Sequence, residues 1–355
     1  MQTHVRWGIL GTGVIAHQIA GDMTHAPTAR LAAVASRDGA KAQAFANRFG
    51  AARSHDSYQA LVDDPDVDAV YIATPNHLHC AHALMAIAAG KAVLVEKPFA
   101  LNTDEARQIA DAARTAGVFC MEAMWTRFLP AIVAVRKAVE AGEIGRPTLI
   151  RAAMGFPSDP DPANRFNDPA LGGGALLDLG VYGVSLSHLF LGGAPDTVAA
   201  KAVMGPGGAD RQVTAVLGYP GAVAEVTASL SAELSNTLEI AGDRGRIMIE
   251  APFLQAMRTR THRFAPRPHT PPGPDNPVKA ALKRTGLWPL ARGAARALLG
   301  RDGQSAAHSF PGNGYQFELD EIARCLAAGL TESPGMTLDD SVAVMETLAR
   351  IRTEI

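Results

Sequence analysis

The run Val5–Leu10 passes straight into Gly11-Thr12-Gly13-Val14-Ile15-Ala16. A short strand followed at once by G-x-G-x-x-A admits few folds. Its first glycine allows a tight turn, its second lets backbone approach a pyrophosphate, and the small third residue permits close helix–strand packing. A helix opening at Val14 then aims its free N–H groups at the phosphates. Such a triplet is common by itself, and its place directly after a strand is what gives it weight. Gly11, Thr12, Gly13, Val14 and Ile15 are therefore expected to line a dinucleotide.

The rhythm that follows extends this reading. Residues 31–35, 67–73, 92–96 and 118–122 read as strands, and 38–49, 76–89 and 103–116 as helices, the last with Thr103 as its cap and Gly117 as its stop. Strands alternating with helices at this spacing imply a doubly wound parallel sheet over residues 1–123. The second strand ends in Ser36-Arg37, where an NAD site would carry an acid for the ribose 2′-hydroxyl. A hydroxyl beside a guanidinium suits a 2′-phosphate, so NADP is expected, with NAD possible. The competing reading is that Arg37 merely starts the next helix. Thr74, Pro75, Asn76 and His79 follow the next strand and are expected along the cofactor cleft. His77, His79 and His82 lack partners at metal spacing, so no metal is expected.

The segment Ala92-Val93-Leu94-Val95-Glu96-Lys97-Pro98 is a buried-type strand stopped by an acid, a lysine and a proline. Ligands on open α/β sheets sit beyond the carboxyl ends of such strands, which places Glu96 and Lys97 at the crevice. Lys97 could hold a substrate hydroxyl there; a plain surface lysine is the alternative. Next comes Met121-Glu122-Ala123-Met124-Trp125-Thr126-Arg127-Phe128, whose Trp125, Arg127 and Phe128 can wall a cleft or pack as a hinge.

A helix at 131–141 opens the second domain, 124–355. Strands at 149–155, 197–204, 211–219, 223–230, 237–241 and 246–250 follow with few helices between them, as in a largely antiparallel sheet. Inside this region a helix opening near Gly174 would put Asp178 and Tyr182 on one face, four residues apart. A surface acid beside a core tyrosine fits the same spacing.

Composition sets the class. The chain has 355 residues, 47% hydrophobic and 19% charged, which is ordinary for a soluble globular protein of two domains. Its apolar runs look too short to span a membrane, and its start does not read as a signal peptide. Cys80, Cys120 and Cys325 have no disulfide or zinc spacing, so a cytoplasmic enzyme is expected. A net charge of −2 points to no nucleic acid partner. The balance is uneven, however. Residues 256–304 hold Arg258, Arg260, Arg263, Arg267, Lys279, Lys283, Arg284, Arg292, Arg296 and Arg301 against Asp275 and Asp302, a local +8 that leaves −10 elsewhere. This Pro-rich, basic insertion is expected to pack back on the acidic body, with Leu290, Leu298 and Trp288 covering apolar surface. Binding to a membrane surface is the alternative, and no stable membrane association is expected.

Taken together, the G-x-G-x-x-A, the Glu96-Lys97-Pro98 strand end and the set Lys97, Asp178 and Tyr182 resemble the glucose–fructose oxidoreductase/inositol dehydrogenase superfamily. Glu122 to Phe128, Gly173 to Tyr182, Leu234-Ser235-Asn236-Thr237 and Gly314-Tyr315-Gln316-Phe317-Glu318 are similar to its branch of dimeric dihydrodiol dehydrogenases and NADP-dependent D-xylose dehydrogenases. The resemblance implies an α/β Rossmann domain and a C-terminal α+β domain with a large open sheet that serves for homo-oligomerisation, as a dimer or tetramer. It implies a cleft for NADP and a sugar or cyclic diol, with Arg165 and Tyr315 near the nicotinamide half. The expected reaction is hydride transfer at a carbinol carbon, with Tyr182 as general acid/base, its pKa lowered by Lys97, and Asp178 orienting. Trp125, Arg127 and Phe128 are expected at the substrate. A non-catalytic NADP-binding sensor on the same fold is the rival.

Overall fold

Short β-branched and alanine-rich runs buried on both faces build the first sheet, as parallel strands between helical layers must. The computed structural model describes residues 4–161, 164–264, 277–298 and 303–355. In chain order it opens with β1 (Val5–Leu10), α1 (Val14–Asp22), β2 (Ala29–Ala35), α2 (Gly39–Phe49), β3 (Arg53–His55) and α3 (Tyr58–Val62). There follow β4 (Ala69–Ile72), α4 (His79–Ala88), β5 (Ala92–Glu96), α5 (Thr103–Ala116) and β6 (Cys120–Ala123). The sheet order is β3-β2-β1-β4-β5-β6, all parallel, which is the doubly wound arrangement the sequence implies. The order reverses between β1 and β4, so the crevice for a ligand lies above their carboxyl ends. Two details differ from expectation. β3 is only three residues long and polar, and gives no periodic signal. The cap of α5 is Asn102, which accepts from Glu105 N at 2.9 Å, with Thr103 as the first helical residue.

After α6 (Pro130–Glu140) the chain enters the middle of a second sheet through β7 (Pro147–Gly155), then crosses by a π-turn (Leu176–Gly180) and α7 (Val181–Leu191). β8 (Thr197–Met204), β9 (Asp210–Tyr219), β10 (Ala222–Ser229), β11 (Leu238–Gly242), β12 (Gly245–Ile249), β13 (Arg258–Arg263) and β14 (Gln304–Ala307) complete it. The order is β14-β13-β12-β11-β7-β10-β9-β8. Every pair is antiparallel except β7–β10, because the crossover returns the chain in β7's own direction. One face packs on α7. The stretch Pro169–Leu191 is in fact long and apolar enough to cross a membrane, contrary to the expectation from run length, but 83% of its apolar window is buried within the protein. A helix apolar on every side is what the centre of a two-layer domain requires.

Two closing helices, α10 (Gln316–Ala327) and α11 (Leu338–Thr353), return to the first sheet. Ahead of α10 the loop Gly312-Asn313-Gly314 wraps around Asp22 at the end of α1. The buried Asp22 carboxylate accepts from the backbone N–H groups of Asn313, Gly314 and Tyr315 at 2.8–3.1 Å. Both glycines have positive φ, and a Cβ on Gly312 would lie 2.5 Å from Asp22 Oδ1. This clamp fixes Tyr315 against the first domain.

The basic insertion connects the two outermost strands at one end of the sheet, the paired β13 and β14. Within it lie α8 (Pro277–Arg284) and α9 (Trp288–Leu298). Leu290 is 72% exposed, so it does not cover the second domain as expected, while Trp288 is half-buried. The Leu298 side chain lies outside the described residues, as do Arg267, Asp275, Arg301 and Asp302.

Candidate active site

Lys97 projects from the end of β5 into the space between the two sheets. Its Nζ donates to Asp178 Oδ1 at 3.0 Å and to the Asp178 carbonyl at 2.9 Å. Asp178 sits on the π-turn that leads into α7 and Tyr182 in the first turn of α7 itself, so the turn between them is not a regular α-helical one. π-turns inside helices are frequent at functional sites because the wider turn re-aims side chains. Here the result is that Lys97 Nζ lies 5.0 Å from the centroid of the Tyr182 ring. The lysine therefore meets the tyrosine at its ring face, where a cation is attracted by the π system. The Tyr182 hydroxyl oxygen instead accepts from Trp125 Nε1 at 3.3 Å.

Burial governs the protonation of this set. It pushes Tyr182 up to about 12, with Lys97 and the Trp125 hydrogen bond pulling the other way. The expected lowered tyrosine pKa is thus corrected: in the protein alone, desolvation of the phenolate outweighs the cation. For Lys97, burial opposes the charge, but Asp178, Tyr182 and Glu96 outweigh it and hold the ammonium above its ordinary value. Glu96 is driven up to about 7 by burial, against the pull of Lys97 and the Tyr71 hydroxyl that donates to it. Its second oxygen accepts from the Lys97 backbone N–H at 3.0 Å. Both oxygens of Glu96 thus brace the strand end that carries the lysine. His79 does similar work, its two ring nitrogens each 2.9 Å from a carbonyl oxygen, those of Pro98 and Thr74.

Below this cluster a cleft of about 900 Å³ runs over the carboxyl ends of β1, β2 and β4. Gly11, Thr12, Gly13, Val14, Ile15, Ser36, Arg37, Thr74, Pro75, Asn76, His79, Glu96, Lys97, Arg165 and Asp178 all line it. Gly11 has φ +105°, and a Cβ there would lie 2.8 Å from the Ala73 carbonyl oxygen. Above Gly13 a Cβ would meet nothing within 4 Å, which leaves bare backbone facing the cleft. Val14 opens α1 at 79% exposure, an apolar side chain that a bound molecule would cover. The cradle therefore fits a dinucleotide. At its far end the Asp38 carboxylate is occupied in capping α2, accepting from Ala40 N and Lys41 N at 3.1 and 3.2 Å. With the acid engaged by these donors and by the Lys41 ammonium at 3.6 Å, Ser36 and Arg37 are left to present a hydroxyl and a cation, which matches a 2′-phosphate better than a free 2′-hydroxyl.

Two expected residues take other places. Arg127 is buried away from the cleft, paired with Asp340 at 3.2 Å and donating to Ser185 Oγ and the Ser185 carbonyl. Phe128 packs on Gly335, where a Cβ would come within 2.8 Å of its ring. Neither lines the cleft, because successive side chains of the 3-10 turn Trp125–Phe128 are about 120° apart and meet different neighbours. Tyr315 lies behind the site, its ring 4.6 Å from that of Trp125 and its hydroxyl donating to Gln18 Oε1 at 3.2 Å. Trp125 does reach Tyr182. Gln18, Lys41, Tyr58 and Phe166 also line the cleft and were not anticipated. Lys41 carried a signal, as a basic residue in the first turn after Ser36-Arg37. Phe166 lies under the Arg165 guanidinium at 4.0 Å and carried none.

Glu318, fully buried on α10, has no hydrogen-bond partner on either carboxyl oxygen among the described residues. Burial, then Glu96 and Asp22, hold its pKa well above the ordinary carboxyl value. A carboxyl raised on folding favours the native state below its unfolded pKa of about 4.5, and this stability is lost as pH rises through the folded value. Replacing Glu318 by Gln should therefore raise the melting temperature more at pH 8 than at pH 5, as read by calorimetry. An equal shift at both pH values would contradict a buried, neutral Glu318.

Comparison with known proteins agrees with this geometry. Residues 5–124 match an oxidoreductase family with an NAD-binding Rossmann fold, and residues 132–248 match the GFO/IDH/MocA C-terminal domain. The trans-1,2-dihydrobenzene-1,2-diol dehydrogenase of Mus musculus is 34% identical, across 99% of this chain and 97% of its own. Among solved structures, levoglucosan dehydrogenase in complex with NADH and levoglucosan superposes with a TM-score of 0.80 at 25% identity, covering 99% of this chain and 97% of that one. A 3-ketoreductase from Actinomadura kijaniata in complex with NADP and TDP-benzene gives 0.76 at 25% identity, covering 99% and 98%.

Proposed function

The chain belongs to the GFO/IDH/MocA oxidoreductase family, and on that premise we propose an NADP-dependent dehydrogenase that acts on the CH–OH group of a small sugar or cyclic diol. One observation carries the reading: Lys97, Asp178, Tyr182 and Trp125 converge where the dinucleotide cleft meets the second domain. When bound, the cofactor supplies a hydride acceptor or donor at nicotinamide C4. The protein's part is to place and move the proton. Because Trp125 Nε1–H donates to the Tyr182 oxygen, the tyrosine's own hydrogen is left to point at a substrate oxygen. Tyr182 is then the general acid in reduction and the general base in oxidation. In the base direction Lys97, seated on the ring face, opposes the cost of the buried phenolate. Asp178 holds that lysine in place and fixes the charge balance. Tyr182, Lys97 and Asp178 are the catalytic set of this reading, and Trp125 forms the substrate wall.

A division into residues 1–123 for the cofactor and 124–355 for substrate and self-association accords with the two sheets. Exposed Val216 and Val223 on the uncovered face of the second sheet support a homo-oligomer formed through it. We infer that it acts in the cytoplasm. The name of the mouse relative favours a trans-dihydrodiol, and levoglucosan in the structural relative favours a sugar. A steady-state assay of NADP reduction with a sugar and diol panel distinguishes them. It also tests the non-catalytic sensor, which predicts no turnover with any of them.

Tyr182→Phe should lower kcat by roughly 10²–10⁴-fold while leaving the Kd for NADP nearly unchanged. Near-normal turnover would move proton transfer to Lys97. Arg37→Glu should reduce the ratio of kcat/KM for NADP over NAD by at least about tenfold, since a charge-assisted phosphate contact is replaced by repulsion. An unchanged ratio would mean that the phosphate is held elsewhere.

A further inference from the structure

The insertion between β13 and β14 departs most from a compact enzyme. Its described part is a helical hairpin, α8 and α9, joined at Thr285-Gly286-Leu287 with Gly286 at φ +70°. Residues 277–298 carry Lys279, Lys283, Arg284, Arg292 and Arg296 and no carboxylate at all. On the same hairpin Leu287 and Leu290 are 51% and 72% exposed, and Val278 is exposed as well. A single exposed leucine is ordinary, but several large apolar side chains gathered on a projecting, acid-free element are not. Along α9, positions 290 and 294 fall on one side and positions 292 and 296 on the other, with Trp288 at the start. Aliphatic positions on one side of a helix, with basic positions on the other and an indole at its start on the basic side, are the pattern of an element lying in a bilayer interface, where tryptophan sits at headgroup level.

A protein surface is the poorer partner for this charge. Three carboxylates that face β12 and β13 are already matched: Glu143 with Arg263, Glu250 with Arg260 and Glu239 with Arg246. The body of this chain, or the same face of a second copy, therefore has those carboxylates engaged. A fluid anionic surface needs no fixed geometry and accepts cations and apolar side chains together.

We propose that the α8–α9 hairpin is a docking device for anionic phospholipid bilayers, with Leu287 and Leu290 entering the acyl boundary and Arg284 and its neighbours among the headgroups. The attachment is peripheral and reversible, and it is independent of the dehydrogenase reading. Its consequence is to concentrate the enzyme at a membrane surface, where apolar diols and their products partition.

The test is co-sedimentation of the full chain with vesicles of phosphatidylcholine alone or with about 30 mol% phosphatidylglycerol. The bound-to-free ratio should be at least about tenfold higher on the anionic vesicles and should fall back at about 0.5 M salt. In the double variant Leu287→Glu/Leu290→Glu, anionic binding should drop by about tenfold or more while dehydrogenase turnover and melting temperature stay unchanged. Arg284→Glu should weaken binding by a smaller factor. Equal binding to both vesicle types, or an unaffected leucine variant, overturns the proposal. A lower sedimentation mass of that variant also overturns it, because the leucines would then be covered by a second copy. Equally tight binding of duplex DNA, insensitive to the leucines, would mark a bare polycation and overturn it too.

Discussion

The ion pair between Lys97 and Asp178 is the point on which the site depends. It ties the end of a parallel strand in one sheet to a π-turn covering the other, and both partners are largely shielded from water. Removing one partner of such a pair leaves an uncompensated charge that costs several kcal/mol, so the two side chains specify each other's position. The second, main-chain bond from Lys97 to the Asp178 carbonyl makes the geometry stiffer than charge alone would. With the lysine pinned, the Tyr182 ring lies under its ammonium and the Tyr182 hydroxyl is held by Trp125.

Around this pair the protein spends buried polar groups on rigidity. Glu96 braces the lysine's own backbone, Glu122 accepts from Phe99 N at 3.0 Å, and His79 joins the loops after β4 and β5. Burial drives both Glu96 and Glu122 up to about 7. Native stability gained from these raised carboxyls is full below about 4.5 and lost as pH rises through about 7. Asp22 and its three backbone donors hold the far wall, setting Tyr315 behind Trp125. Tyr182, the proposed acid/base, is therefore backed by layers that cannot shift independently.

Much of this was legible in the residues themselves. A glycine turn after β1, the Glu96-Lys97-Pro98 stop and alternating elements led to the sheet and the cleft, because those features depend on backbone sterics and strand ends. The four-residue spacing of Asp178 and Tyr182 placed them together, although a π-turn rather than a regular helix carries them. Arg127 and Phe128 were misplaced because an aromatic–basic string reads alike whether it walls a cleft or fills a core; only Asp340 and Gly335, distant in sequence, decide it. The tyrosine pKa was misjudged for a similar reason, since the cation is visible in sequence and the depth of burial is not. β13 and β14 were missed because polar edge strands have no apolar alternation, and their pairing bridges the insertion.

The central claim is that Asp178 acts through Lys97, so the two work as one unit. A double-mutant cycle on kcat/KM with Lys97→Met, Asp178→Asn and the pair tests it most directly. Each single change should cost at least about 10²-fold, and the double variant should be within about threefold of Lys97→Met alone, since the acid has nothing left to position. If the two losses multiply instead, Asp178 contributes independently and the account of the site is wrong.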